Sequence, residues 1–471
     1  MNELHNADIQ GLVISGYGHL YHGHYLFLRF NDAEGGRKWV ADMIPQIATG
    51  ARWPKDDQGK TIKPDHMINI GLSCYGLGAL GMPEASQATF PHEFRQGIAH
   101  PDRQRILGDT GENAPVNWEV GGDNAADVHA IIVVLAVSEA KRTQIYEGLK
   151  AGFAANDVTL IHEDVGDKLA DSREHFGFFD GLSQPRLTTS NRDDKQAEPT
   201  IAEGEFVLGY KNEYGQLPFS PMLDGQDLGK NGTYVVFRKM HQDVAAFWNF
   251  IAANIPEAEG EGELATMTDD EKTVWLAAKL MGRWPSGVPL VMAPWRDNAS
   301  IPQDQWNNFM FHDRDPYGDQ CPFGSHVRRM NPRDSLPPTK EEGLKTADRH
   351  LLIRRGLPYG APLFPLDQLP PPADIADDGV DRGLIFLAIN ANISRQFEFV
   401  QQSWVENTHF HGLYNEKDPI IGNANGTTEM TLAASPVRRT VKKLQRFVTI
   451  KGGGYFFMPS ISALGRIATM G

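Results

Sequence analysis

One pattern of apolar residues is written twice along this chain, and a repeated pattern constrains the fold more than any single motif. In the first half, residues 11–14 and 25–28 read as strands, and a helix follows with Trp39, Val40, Met43 and Ile44 on one face. Residues 131–137 then read as a buried strand, Ile145, Leu149 and Phe153 recur every four residues on a helix, and 158–161 returns as a strand. The second half begins again. Residues 206–210 and 234–237 read as strands, and Val244, Phe247, Trp248 and Ile251 fall at i, i+3, i+4 and i+7. Residues 384–389 form a further strand, leading to a helix striped by Ile393, Phe397, Val400 and Trp404. Each half predicts helices packed on one face of an antiparallel sheet, an α+β layering.

A length of 471 residues exceeds what one hydrophobic core usually serves, so two core-bearing domains are expected. The polar stretch between Arg186 and Gly204 cannot bury enough apolar area to order as core, which sets domains of 1–190 and 204–471. Residues 257–263, 332–345 and 365–381 read as long loops, of the kind that wall functional sites. A formal charge of −15 repels phosphate backbones and gives no footprint for nucleic acid or anionic lipid. Cys74 and Cys321 are too few for a disulfide framework or an iron–sulfur site. The N-terminus carries no basic, apolar export pattern and the longest apolar run, 130–137, is too short to cross a bilayer. The expectation is a cytoplasmic protein with no membrane partner, its oligomeric state left open.

Three segments could carry chemistry. Residues 175–185, HFGFFDGLSQP, set Asp180 among aromatic residues and between Gly177 and Gly181. Glycines allow close approach to a bulky partner, and apolar neighbours keep water from the carboxylate, so Asp180 is a candidate base; an ordinary Asp-Gly turn is the alternative. Residues 321–333, CPFGSHVRRMNPR, place His326 beside Arg328, Arg329 and Arg333. Imidazole is a common axial ligand of haem iron and guanidinium pairs with propionates, although a lone histidine is more often structural. Residues 350–360, HLLIRRGLPYG, carry Arg354 and Arg355 on an apolar run: fixed cations suited to a departing hydroxide, or side chains reaching from a strand edge. His19, His22 and His24, like His409 and His411, lack the cysteine or carboxylate company of a zinc site. No nucleophile elbow, phosphate loop or dinucleotide fingerprint occurs.

At these segments the sequence resembles the dye-decolorizing peroxidases. The Gly-x-x-Asp-Gly hallmark is matched by residues 177–181, followed in order by a histidine and an arginine, and the likeness covers most of the chain from about Asp8. The resemblance implies two ferredoxin-like domains of the dimeric α+β barrel type, with antiparallel sheets and helices packed on their faces. It implies one haem b per chain, held mainly by the C-terminal domain. His326 would be the iron ligand, Arg328 and Arg333 propionate partners, and Gly177 and Gly181 the close-packed turns of the distal loop. Leu384 and Phe386 would wall the distal side. Asp180 would move the proton of hydrogen peroxide and Arg354 would stabilise the charge, with Arg355 as its alternative. Bulky aromatic reducing substrates would be oxidised in one-electron steps, with Trp404, Tyr359 and Trp284 as relay candidates by type. A haem carrier or haem-iron-releasing protein with incidental peroxidase activity is the alternative. One departure stands out: where relatives place a carboxylate behind the histidine, this chain has Ser394, and Glu398 lies off the helix stripe.

Overall fold

The computed structural model describes residues 4–187, 200–256, 262–433 and 437–470. The expected domain boundary and most of the acidic loop 257–263 lie outside the described residues. Eight strands make one antiparallel sheet: β1 (His22–Phe30), β2 (His66–Leu72), β3 (Ala130–Ala136), β4 (Val158–Asp167), β5 (Thr233–Gln242), β6 (Ile353–Tyr359), β7 (Gly383–Asn390) and β8 (Val448–Met458). Their spatial order is β6-β7-β5-β8-β2-β3-β1-β4. Counted within its own half, each set of four follows the order second, third, first, fourth, so the repeated sequence pattern becomes a repeated ferredoxin-like topology. The halves meet where Phe457 of β8 pairs with Leu72 of β2. The outer strands also approach, since a Cβ at Gly166 of β4 would lie 2.9 Å from the Pro358 carbonyl oxygen of β6. The sheet therefore curls toward a barrel.

Helices cover the outer faces. Helix α1 (Ala33–Met43) starts where the Asp32 carboxylate accepts from the Gly35 N–H at 2.9 Å, and it buries Trp39, Val40 and Met43. Helix α2 (Glu139–Ala155) is capped by Ser138, and α3 (Val244–Ala253) by Asp243. β3 is buried throughout, because its residues face a core on both sides; it reads as a continuous apolar run for that reason. A core beneath α1 takes Leu26, Ile70 and Ile132 from the first half and Tyr234, Val236 and Phe457 from the second. A second core, inside the barrel, joins Tyr25, Phe27 and Val133 to Phe237, Ile385 and Leu387. No described helix is long and apolar enough to cross a membrane.

Several expectations need correction. Residues 11–14 form one helical turn, not a strand, because Gly11 donates its N–H to the Ala48 carbonyl and the chain folds back on itself there. Residues 206–210 are turns: Val207 donates to the Glu203 carbonyl and Gly209 has φ +88°. That run is apolar because Phe206, Val207 and Leu208 are fully buried, not because it is extended. The loop at 332–345 contains the start of a helix, Lys340–Asp348, capped by Thr339. The striped segment after β7 is helical, with wide π-type turns over Ser394–Glu398 and Val400–Val405.

Candidate active site

A cavity of about 1300 Å³ opens against β6 and β7. Register decides which side chains face it. Arg354 pairs with Ala388, Gly356 with Phe386 and Pro358 with Leu384, and directly opposed residues of an antiparallel pair point to one side. Arg354, Phe386 and Leu384 thus share a face, and all three line the cavity.

Asp180 reaches the same cavity from the loop after β4. That loop has no regular pairing partner, so its backbone is fixed by local groups. The Glu174 carboxylate accepts from the N–H groups of Phe176 and Phe178, each at 2.9 Å, and from Gln242 Nε2 at 2.7 Å. Withdrawal from water pushes the Glu174 carboxyl up to about 7 against those donors. Arg173 donates to the carbonyls of Gly177 and Pro285, and Phe179 N–H also reaches Pro285. Gly177 (φ +94°) and Gly181 (φ +80°) take backbone conformations that side chains disfavour. Gly181 lines the cavity; Gly177 does not, and its missing side chain instead lets Leu369 pack 3.0 Å from where a Cβ would stand. Arg354 is tied to this loop: its N–H donates to Gln184 Oε1 at 3.0 Å and its guanidinium to the Leu182 carbonyl. Adjacent Arg355 points to the opposite face, where its Nε donates to the Leu12 carbonyl at 3.0 Å.

His326 begins helix α4 (His326–Met330) and lines the cavity. Its Nδ1 sits 2.9 Å from Asp418 Oδ2 and 3.2 Å from Oδ1. Asp418 is fully buried, and Oδ1 also accepts from the N–H groups of Ile420 and Ile421. Burial works to raise this carboxyl, but the histidine's charge and hydrogen bond together with the backbone N–H donors overcome it and hold the group below its ordinary range. A carboxylate there can only accept, so Nδ1 donates this hydrogen bond and Nε2 is the nitrogen turned to another partner. Asp418 fills the place that the sequence left without a carboxylate. Ser394 is exposed and bonds Asn392, while Glu398 pairs with Arg103 at 2.9 Å and Tyr455 at 2.8 Å.

The expected propionate partners separate. Arg333 lines the cavity, donates to the carbonyls of Asn307 and Phe309, and stacks 4.0 Å from the Phe309 ring. Arg328 does not reach it. Its guanidinium is fully buried between Phe311 and Phe323, at 4.2 and 4.3 Å, and bonds Asp315 and the Cys321 carbonyl. Two residues along a helix from His326, it points away from it. Of the relay candidates, Trp284 lines the cavity, Trp404 packs on Phe399, and Tyr359 donates to Asp381 at 3.2 Å. The histidines at 19, 22 and 24 bond Pro64, Asp167 and Glu163 separately and do not converge.

No family model matches the chain. Among curated proteins, Peroxidase 2 of Mycetinis scorodonius is 30% identical over 489 residues, spanning 98% of this chain and 87% of the relative. The dye-decolorizing peroxidase of Exidia glandulosa is 27% identical over 484 residues, spanning 99% and 88%. A solved dye-decolorizing peroxidase in complex with 2,6-dimethoxyphenol superposes with a TM-score of 0.81 at 26% identity, covering 99% of this chain and 100% of that one. The enzyme from Auricularia auricula-judae shares the fold with a TM-score of 0.79 at 24% identity, over the full length of both chains. Fold and likeness together define the class, a peroxidase built from two ferredoxin-like α+β halves. More narrowly, the chain belongs to the dye-decolorizing peroxidases, which are haem enzymes.

Proposed function

We propose that this peroxidase holds one haem b per chain in the cavity, with His326 as the iron ligand and with Asp180 and Arg354 acting on hydrogen peroxide. In this reading the N-terminal domain, 1–190, supplies the Asp180 loop and the C-terminal domain, 204–471, supplies the rest. The observation that carries it is the held imidazole: Asp418 accepts from Nδ1–H, which leaves Nε2 as the nitrogen to meet iron on a residue that lines the same cavity as Asp180 and Arg354. The residues present suit a haem. About 1300 Å³, above the roughly 300–1000 Å³ of ordinary ligand pockets, has room for a group as large as haem without filling the whole cavity. Leu384, Phe386, Met240 and Val448 supply apolar wall, and Arg333 supplies a guanidinium for a propionate now that Arg328 is withdrawn.

Haem, when bound, supplies the redox centre that passes two electrons to peroxide and recovers them singly from donors. The protein's part is proton and charge management. A carboxylate oxygen of Asp180 accepts a proton from one peroxide oxygen and returns it to the other, so that water departs as the O–O bond breaks. Arg354, which cannot lose its proton, stabilises negative charge on the departing oxygen, and the Leu182 carbonyl holds its guanidinium in place. One peroxide and two phenols give two waters and two phenoxyl radicals. The test is His326→Ala expressed with added haem: loss of the normal Soret band is expected, and an unchanged band at one haem per chain would remove His326 as ligand.

A further inference from the structure

The cavity is not confined to the face that carries Arg354. Residues of the barrel interior line it as well: Tyr25, Val133, Leu135, Leu357, Ile385 and Leu387. Register agrees: Tyr25 opposes Val133 and Leu357 opposes Ile385, on the face opposite to Arg354 and Phe386. Two chambers therefore back onto one another across the β6–β7 pair, and the peroxide chemistry employs only the outer one.

The inner lining is specific. Tyr25 is fully buried, and its hydroxyl has no hydrogen-bond partner among the described residues. Buried hydroxyls are almost always satisfied, so this one points to a ligand or water acceptor. Burial and the carboxylates of Asp164 and Asp167 behind it keep the phenol protonated, hence a donor. Toward the mouth, Trp53 lies 5.7 Å from the Tyr17 ring and 5.3 Å from His19. Lys63, Lys168 and Arg355 also line this chamber, Lys168 standing 4.9 Å over the Tyr21 ring. The carboxylates in the cavity's lining, Glu174 and Asp180, both stand on the loop that Arg354 holds, and the chain as a whole carries a net charge of −15. Local charge of the opposite sign to the whole concentrates anions at this mouth.

We propose that the inner chamber binds a hydroxyaryl carboxylate. The phenolic oxygen accepts from Tyr25, the ring packs on Trp53 and Tyr17, and the carboxylate pairs with Lys63 and Lys168 at the mouth. The step after binding rests on the peroxidase reading: two phenols in turn each give up one electron and one hydroxyl proton to become phenoxyl radicals, and one hydrogen peroxide reduced in the chamber across the β6–β7 pair takes the two electrons and two protons and leaves as two waters.

Isothermal titration of the haem-loaded protein with 4-hydroxybenzoate, beside uncharged phenol, tests the assignment. One site per chain is expected, with phenol binding at least tenfold more weakly and the Soret band unmoved during titration. The double variant Lys63→Glu/Lys168→Glu should weaken 4-hydroxybenzoate at least tenfold and abolish its advantage over phenol; Tyr25→Phe should weaken both ligands. Equal binding by parent and variants, or a Soret shift reporting entry beside the iron, would overturn the proposal. A preparation that takes up no haem would instead defeat the haem reading, while the titration would still report on the inner chamber.

Discussion

Asp418→Asn separates a histidine that is merely hydrogen-bonded from one held ready for a metal. In the parent, Asp418 Oδ1 accepts from the N–H groups of Ile420 and Ile421 while Oδ2 accepts from His326 Nδ1–H at 2.9 Å. Asparagine can keep its oxygen on the two backbone N–H groups, but its amide nitrogen then meets Nδ1–H donor to donor. The imidazole relieves this by moving its proton to Nε2, which removes the lone pair from the cavity side. A hydrogen bond to a buried charge contributes about 1.5–3 kcal/mol, which matches the 10–100-fold in metal affinity lost when such a supporting carboxylate goes. Haem titrated into the haem-free protein and followed at the Soret band should therefore show affinity lowered about 10–100-fold. Circular dichroism should show the fold intact, because the variant is nearly isosteric. Affinity within twofold of the parent would refute the reasoning, since Asp418 would then not govern the tautomer.

Arg354→Leu should keep a normal Soret band and lose roughly 100–1000-fold in peroxide-dependent oxidation of a phenol, measured as kcat/KM for peroxide. Glu174→Ala leaves the N–H groups of Phe176 and Phe178 and the Gln242 amide without their acceptor. It should cost about 4 kcal/mol in denaturant unfolding and lower peroxide turnover by loosening the loop that bears Asp180. His350, stacked 3.8 Å on Phe399, is pushed by burial down to about 4. Its neutral form is native and the unfolded chain takes up the proton near 6.5, so its contribution is complete above 6.5 and is lost as pH falls toward 4. At pH 5 the loss is about 2 kcal/mol, and the fall in stability between pH 7 and pH 5 should be smaller by that amount in His350→Asn. Equal falls in parent and variant would contradict it.

Much of this is legible in the sequence because the signals are periodic or local. The twofold recurrence of strand and helix patterns carries the α+β repeat, and apolar runs such as 131–137 become strands because both of their faces are buried. Strands β2, β6 and β8 give no clear signal where Asn69, Gly356 and residues 452–454 interrupt the apolar rhythm. Those interruptions have causes: Asn69 bonds the backbones of Leu12 and Ala48, and Gly453 leaves room for Trp118. Asp180, His326 and Arg354 do reach one cavity. Arg328 does not join them, for a reason present in the sequence, since residues at i and i+2 on a helix do not share a face. Asp418 is hidden by distance: it lies 92 residues from His326, in a turn with no periodicity, and only the folded chain joins them. Glu174 carries a weak signal, an acidic residue beside the glycine-bounded loop, whose role depends on which backbone N–H groups that loop turns inward.

The proposed mechanism stands on Asp180 moving the peroxide proton. Stopped-flow mixing of haem-loaded protein with stoichiometric hydrogen peroxide, read at the Soret band, tests it most directly. Asp180→Asn should react at least 100-fold more slowly than the parent while binding haem equally well. A variant that reacts at the parent's rate would contradict the account.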